Sequence, residues 1–220
     1  TAAAVLAQAD AGRLSPDDPL ARFFPDFPGA AGITLGQLLD HTAGVANLTA
    51  RPGYLDVDVR LDRSTAELVA SFRDLPPDFP PGTAWRYSNS GYVLLGAVLD
   101  HRRVVPGMAD GYSTEPDGRV LRARPISMTQ PHAAGALVST VDDLWRWQQG
   151  LYGGRVLSAA TLARMTTPQG PVATQSRYAY GLLVQTLRGE PMLHHGGGIH
   201  GYLSSLVYLP SSRLTVAVLR

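Results

Sequence analysis

Two short stretches of this chain hold residue types that could do chemistry. The first is Pro81-Gly82-Thr83-Ala84-Trp85-Arg86-Tyr87-Ser88-Asn89-Ser90-Gly91-Tyr92. A turn there delivers a phenol, a hydroxyl and a carboxamide to the start of an apolar helix, where backbone N–H groups are also free. A phenol beside a cationic site can act as general base, and an Asn amide can orient a substrate carbonyl. Tyr87 and Asn89 are therefore candidates, set against a plainer reading in which Ser88 or Asn89 is an ordinary N-cap and Tyr87 packs nearby. The second stretch is His194-His195-Gly196-Gly197-Gly198-Ile199-His200-Gly201-Tyr202. Three consecutive glycines among strand-forming residues let a ligand approach the backbone closely and use its N–H groups. An oxyanion hole or carboxylate cradle on an edge strand is built this way. The plainer reading is a glycine-rich hairpin with exposed histidines.

Two rival chemistries for the glycine stretch fail on spacing. A His-Gly-Gly-Gly oxyanion loop should precede a Gly-x-Ser-x-Gly elbow; the chain has no such elbow, and only 22 residues follow Gly198. A metal site from His194, His195 and His200 fails because neighbours on a strand point to opposite faces, and no His-Glu-x-x-His pattern supports it. No metal and no cofactor is expected. Two further segments, Leu38-Leu39-Asp40-His41-Thr42-Ala43-Gly44 and His132-Ala133-Ala134-Gly135 leading to Ser139-Thr140, read on their own as a helix stop and as packing with capping.

The elements that must position these residues follow from periodicity and punctuation. Thr1 to Asp10 reads as a short buried helix with Thr1 as N-cap and Gly12 past its end. Proline and glycine make Ser15 to Gly32 a surface loop, and Thr34 opens a short helix with Leu35, Leu38 and Leu39 on one face. Ser64-Thr65-Ala66-Glu67 is a capping box ahead of Leu68, Val69 and Phe72 at helical spacing. Ser88 to Asp100 reads as a buried helix, residues 101–131 show little periodicity, and further helices fit Thr140 to Gln149 and the stretch after Ser158. Tyr178–Leu187, Met192–His195, Tyr202–Leu209 and Leu214–Leu219 read as an antiparallel meander. Helices first and strands last predict an α+β fold.

Composition narrows the function. The 220 residues carry 19 basic and 18 acidic side chains for a net charge of +1, so no field gathers nucleic acid or an anionic membrane. There is no cysteine, which excludes disulfides, thiolate metal sites and a cysteine nucleophile. There is also no lysine; every basic residue is an arginine, which stays protonated and cannot serve as a base. The longest apolar run, Tyr92 to Leu99, is far too short for a transmembrane segment. The expected partner is a small-molecule or peptide substrate, and the chain is expected to be one domain over 1–220.

Taken together, four segments resemble the serine β-lactamase and penicillin-binding-protein superfamily, in its class C-like esterase, D-aminopeptidase and carboxypeptidase branch. Leu38 to Gly44 is similar to the family's Leu-Leu-x-His-Thr-Ser-Gly, with Ala43 in place of Ser. Tyr87-Ser88-Asn89 resembles its Tyr-x-Asn motif, His132 to Asp143 its Ala-Gly-x-x-Ser-Thr-x-x-Asp-Leu segment, and His195-Gly196-Gly197 stands where the family carries Lys-Thr-Gly or His-x-Gly. The resemblance implies a β-lactamase/transpeptidase-like fold, an antiparallel sheet flanked by helices plus a mainly helical and loop region, incomplete at the N-terminus. It divides the chain into a remnant of the nucleophile helix (1–12), a helical and loop region (13–139) and helices with C-terminal strands (140–220). It also implies acyl-enzyme chemistry on an ester, amide or D-peptide by a serine of a Ser-x-x-Lys pair. In that scheme Tyr87 is the general base partner, Asn89 orients substrate and lysine, and His195 lines the site. Gly197 admits the substrate to the strand, and the Gly198 N–H donates to the oxyanion. A His in the third motif leans towards esterase or D-aminopeptidase-like substrates.

Two departures carry their own expectations. With no lysine there is no Ser-x-x-Lys, and the resemblance places that motif just ahead of Thr1. After Asp100, roughly twenty to thirty residues, the usual helix plus loop, are missing by comparison. The alternative to a hydrolase is a non-catalytic module binding a ligand in the same cleft.

Overall fold

The computed structural model describes residues 1–99, 112–114, 118–123, 126–170 and 173–220. Eight α-helices lie among these: α1 (Ala2–Asp10), α2 (Leu35–Leu39), α3 (Thr65–Arg73), α4 (Asn89–Leu99), α5 (His132–Gly135), α6 (Val141–Tyr152), α7 (Ala159–Met165) and α8 (Ala173–Ser176). The strands are β1 (Tyr112–Thr114), β2 (Val120–Arg122), β3 (Leu183–Leu187), β4 (Glu190–Ile199), β5 (Tyr202–Leu209) and β6 (Leu214–Leu219). β1 and β2 form a separate antiparallel pair, and β3 to β6 form one antiparallel sheet in sequence order. The meander and the α+β class are as the sequence predicts.

The helical body is built around α4. Its run of Val93, Leu94 and Leu95 is fully buried, and α1, α2, α3 and α5 all pack on it. The predicted stripes point inwards: Leu35, Leu38 and Leu39 from α2, and Leu68, Val69 and Phe72 from α3. Each such large apolar side chain contributes about 1.5–3 kcal/mol when fully buried. The expected capping box forms at Ser64, and Thr34 makes a second one. Thr34 and Ser64 accept from the N–H groups of Gln37 and Glu67, whose side chains bond back to the cap N–H. At the end of α1, the Gly12 N–H donates to the Ala9 carbonyl and the Arg13 N–H to that of Gln8, the paired bonds of a Schellman stop.

Three expectations need correction. Thr1 does not cap α1 with its side chain; its hydroxyl donates to the Ala133 carbonyl at 2.5 Å, so tertiary contact outcompetes the local bond. The region 13–139 is not wholly helix and loop, because it contains the β1–β2 pair. Three residues per strand are too few to leave a readable alternation. The glycines Gly196 to Gly198 do not form the hairpin turn: they lie inside β4, and the turn is at His200–Gly201. The expected gap after Asp100 lies outside the described residues.

The sheet has two faces. On one, Leu193 and Tyr208 are buried, and the Tyr208 ring stacks on Tyr152 of α6 at 4.0 Å with the planes 1° apart. The other carries Leu203, Leu214, Val216 and Val218, all exposed among the described residues. None of the described helices is long and apolar enough to cross a membrane.

Candidate active site

The site begins where two loops run side by side. The Gly82 N–H donates to the Thr42 carbonyl (2.8 Å), the Arg86 N–H to that of His41 (3.2 Å), and the Asp78 N–H to that of Gly44 (2.8 Å). Gly44 has φ +73, and a Cβ there would strike the Phe79 carbonyl oxygen, so only glycine permits this approach. Two segments some forty residues apart are thereby joined, and the end of α2 is set against the start of α4.

His41 sits at this junction with only 3% exposure and φ 65. Its Nδ1 accepts from the Ser88 N–H at 3.2 Å, so the ring proton belongs on Nε2, which has no partner among the described residues. Aromatic rings surround it: Tyr87 at 4.3 Å between centroids, Tyr178 at 4.7 Å, Tyr92 at 5.2 Å and Trp85 at 6.4 Å. Burial, helped by the nearby His195, pushes its pKa down to about 3, so this imidazole is neutral.

The first turn of α4 is tied to residues 39–49. The Asn89 N–H donates to Asn47 Oδ1 (3.1 Å), and Asn89 Nδ2 to Thr49 Oγ1 (3.1 Å). Ser90 Oγ accepts from the Leu48 N–H (2.8 Å), and the Tyr92 hydroxyl donates to the Leu39 carbonyl (2.9 Å). The plain N-cap reading does not hold. Asn47, from a distant segment, satisfies the first helical N–H, while Ser88 Oγ is buried without a partner among the described residues.

The opposite wall is β4. His195 Nδ1–H donates to the Gly196 carbonyl at 2.6 Å, and its Nε2 is hydrogen-bonded to the Tyr178 hydroxyl at 3.0 Å. Tyr87 lies 6.2 Å from the His195 ring and 6.3 Å from Tyr178. Burial raises the pKa of Tyr87, and it raises those of Tyr92 and Tyr178 as well, so all three phenols are held protonated. Of the predicted residues, then, Tyr87 and His195 are brought to one ring cluster, whereas Asn89 spends its amide N–H on the 47–49 turn.

The ladder decides which way the glycine backbone faces. In an antiparallel strand the N–H and C=O of one residue point to the same side, and successive residues alternate. Leu203 exchanges both its bonds with Arg220, away from β4, and Val184 donates to Arg177, also away from β4. With Gly198 opposite Leu203 and His194 opposite Leu183, the backbone groups of His194, Gly196 and Gly198 face the β3 side. β3 begins opposite His194. Among the described residues, the N–H groups of Gly196 and Gly198 are therefore left on an open edge. β4 is interior over its first half and an edge over its second, not the simple edge strand expected. Gly197 faces β5, where a Cβ would stand 2.6 Å from Ser204 Oγ. His194 and His195 project to opposite faces, and no cluster of three or more potential metal ligands occurs among the described residues.

Two residues that organise this site were not among its expected members: His41 was read only within a helix stop and a family segment, and Tyr178 only as the start of a strand. Tyr178 carried no signal of its own, since an aromatic beside a strand is ordinarily core.

This is the α+β arrangement of a β-lactamase or transpeptidase-like protein, and comparison with known proteins agrees. Residues 1–103 and 100–219 match the Beta-lactamase family model, so the chain belongs to the β-lactamase family, within the serine β-lactamase and penicillin-binding-protein superfamily. The two matched pieces meet at 100–103, the junction at which the sequence resemblance implied missing residues. The chain is 28% identical to penicillin-binding protein 4 of Amycolatopsis lactamdurans, over all of this chain and 68% of that protein. It is 23% identical to a D-aminopeptidase of Cereibacter sphaeroides, over 92% of this chain and 45% of that protein. Among solved structures, a D-stereospecific amidohydrolase from Streptomyces sp. superposes with a TM-score of 0.84 at 25% identity, covering 98% of this chain and 77% of that one. The chain thus spans between about half and two thirds of its curated relatives' length.

Proposed function

We propose that the protein is a serine hydrolase acting on an ester, amide or D-peptide through an acyl-enzyme, with Tyr87, Asn89 and His195 lining the site. The observation that carries the reading is the Gly198 N–H, turned to the open edge of β4 beside the cluster that holds Tyr87 and His195. A preorganised backbone donor on an open edge is what a tetrahedral oxyanion needs. Kinship with a D-aminopeptidase and a D-stereospecific amidohydrolase supports amides of D configuration as the substrate class.

Tyr87 as general base imposes a condition. Its phenol is held protonated by burial, so a cation must stand beside it to lower its pKa. This chain has no lysine to supply one. The reading therefore requires a Ser-x-x-Lys pair from sequence ahead of Thr1. The lysine would bring Tyr87 into range, and the serine would attack the carbonyl while its proton passes to the base. The absence of lysine is also the one observation that favours a second reading, a ligand-binding module using the Gly198 edge without turnover.

The deciding experiment is intact mass and N-terminal sequencing of the protein as its source makes it, together with labelling by a serine-directed phosphonate. A mass above 23.5 kDa, a Ser-x-x-Lys before Thr1 and one stoichiometric adduct are the expected outcome. A protein of these 220 residues alone, inert to the probe, overturns the hydrolase and leaves the binding module.

A further inference from the structure

Ring contacts hold the Tyr87 side chain, but one residue holds the backbone on both sides of it. The Arg86 N–H, just ahead of Tyr87, donates to the His41 carbonyl at 3.2 Å. The Ser88 N–H, just after it, donates to His41 Nδ1, also at 3.2 Å. The same imidazole lies 4.3 Å from the Tyr87 ring, with the planes at 42°. The Tyr87 hydroxyl itself makes no hydrogen bond among the described residues, so its place is set by the backbone beneath it and the rings around it.

His41 takes this grip from a strained position. Its φ of 65 is a left-handed conformation that residues with a Cβ rarely adopt. The surroundings impose it. Buried Asp40 accepts at Oδ1 from both the Thr42 N–H (3.1 Å) and the Thr42 hydroxyl (2.6 Å). The N–H groups of Thr42 and Ala43 both reach the Gln37 carbonyl, at 2.9 and 3.1 Å. Strain of this kind persists only where neighbours over-determine it, and it concentrates at functional sites.

We propose that His41 is a positioning residue for the reaction, holding the Tyr87 phenol in place by bracketing the Arg86–Ser88 backbone from one strained, buried turn. The inference rests on the hydrolase reading and adds to it a residue outside the reacting groups. A general base must stand within hydrogen-bond reach of the proton it takes. A misplacement of about 1 Å can cost on the order of a hundredfold in rate.

The test uses the full protein, with p-nitrophenyl acetate for turnover per folded molecule and the serine-directed phosphonate for labelling. His41→Phe keeps a ring but leaves the Ser88 N–H without its acceptor. It should lower kcat and kcat/KM together by roughly ten- to hundredfold, with KM little changed. His41→Asn should recover most of that loss. Its Oδ1 is bonded to Cγ as Nδ1 is in histidine, and Asn tolerates the left-handed conformation. In a Tyr87→Phe background, His41→Phe should change turnover by less than about threefold, because an effect relayed through the phenol vanishes with it. Should His41→Phe fail to fold, His41→Ala, which opens space instead of filling it, runs through the same cycle. Unchanged turnover in the His41 variant, an equal loss with and without the Tyr87 phenol, or no recovery in His41→Asn overturns the inference, while labelling preserves the hydrolase reading. A parent that neither labels nor turns over the ester overturns both.

Discussion

Tyr87 and Asn89 stand two residues apart, yet the molecule holds them by different physics. Tyr87 is wedged among rings, with His41 at 4.3 Å and His195 at 6.2 Å on either side. Asn89 is held by hydrogen bonds, its backbone to Asn47 and its amide to Thr49. Ring packing is non-directional, burying apolar area and pushing every ionisable group towards its neutral form. The polar arm is directional and exchangeable: an amide bonded to one hydroxyl can trade it for a substrate carbonyl at little net change. The comparison teaches that the aromatic arm fixes protonation state, whereas the polar arm can adapt to what binds.

The largest effect is expected at the aromatic arm. Tyr87→Phe keeps the ring packing and removes only the phenol, so it should lower turnover of the full protein by about 10²–10⁴ with folding intact. Turnover within threefold of the parent would show that Tyr87 only packs, and the contrast between the arms would collapse.

Next comes the stability signature of His41. Its imidazole titrates near the ordinary value of 6.5 when unfolded but only at about 3 when folded. Between those pH values the unfolded chain binds a proton that the folded chain refuses, so stability must fall as pH drops through that window. The full loss is on the order of 4 kcal/mol by the time the pH reaches the folded value. Urea unfolding from pH 7 to 4 should reveal this slope in the parent and a shallower one in His41→Gln. Parallel slopes in the two proteins would mean that His41 is not buried as a neutral ring.

The smallest effect belongs to the polar arm. Thr49→Val removes both the acceptor of the Asn89 amide and the donor to Asn47 Oδ1, and should cost about 2 kcal/mol in urea unfolding, the worth of two half-buried hydrogen bonds. It should change kcat/KM by no more than about tenfold, mostly through KM. A loss as large as that of Tyr87→Phe would make the amide's position as rigid a requirement as the phenol, contrary to the comparison.

How far the site could be read in advance follows the same division. The residues flanking it were visible as types in a pattern: a phenol and an amide at a helix start, and three glycines in a strand. The strands Tyr202–Leu209 and Leu214–Leu219 have the bounds that alternation predicts, and the Ser64–Glu67 box caps α3 as its spacing requires. These are local matters, decided within one turn or one strand by period and by side chains reaching their own backbone. The β1–β2 pair was illegible for the same reason in reverse, because three residues carry no period.

What the sequence determined by itself is therefore the class of the protein and the identity of its candidate groups, with the absence of any lysine among them. What only the tertiary structure decided is their state. Ser88 faces His41 across 47 residues of chain, and Asn47 rather than Ser88 satisfies the first N–H of α4. Tyr178 closes on His195 just ahead of β3, and the register of three strands turns the Gly198 N–H to the open side. Burial, tautomer and strand parity depend on partners distant in the chain, and no local pattern encodes which distant residue arrives.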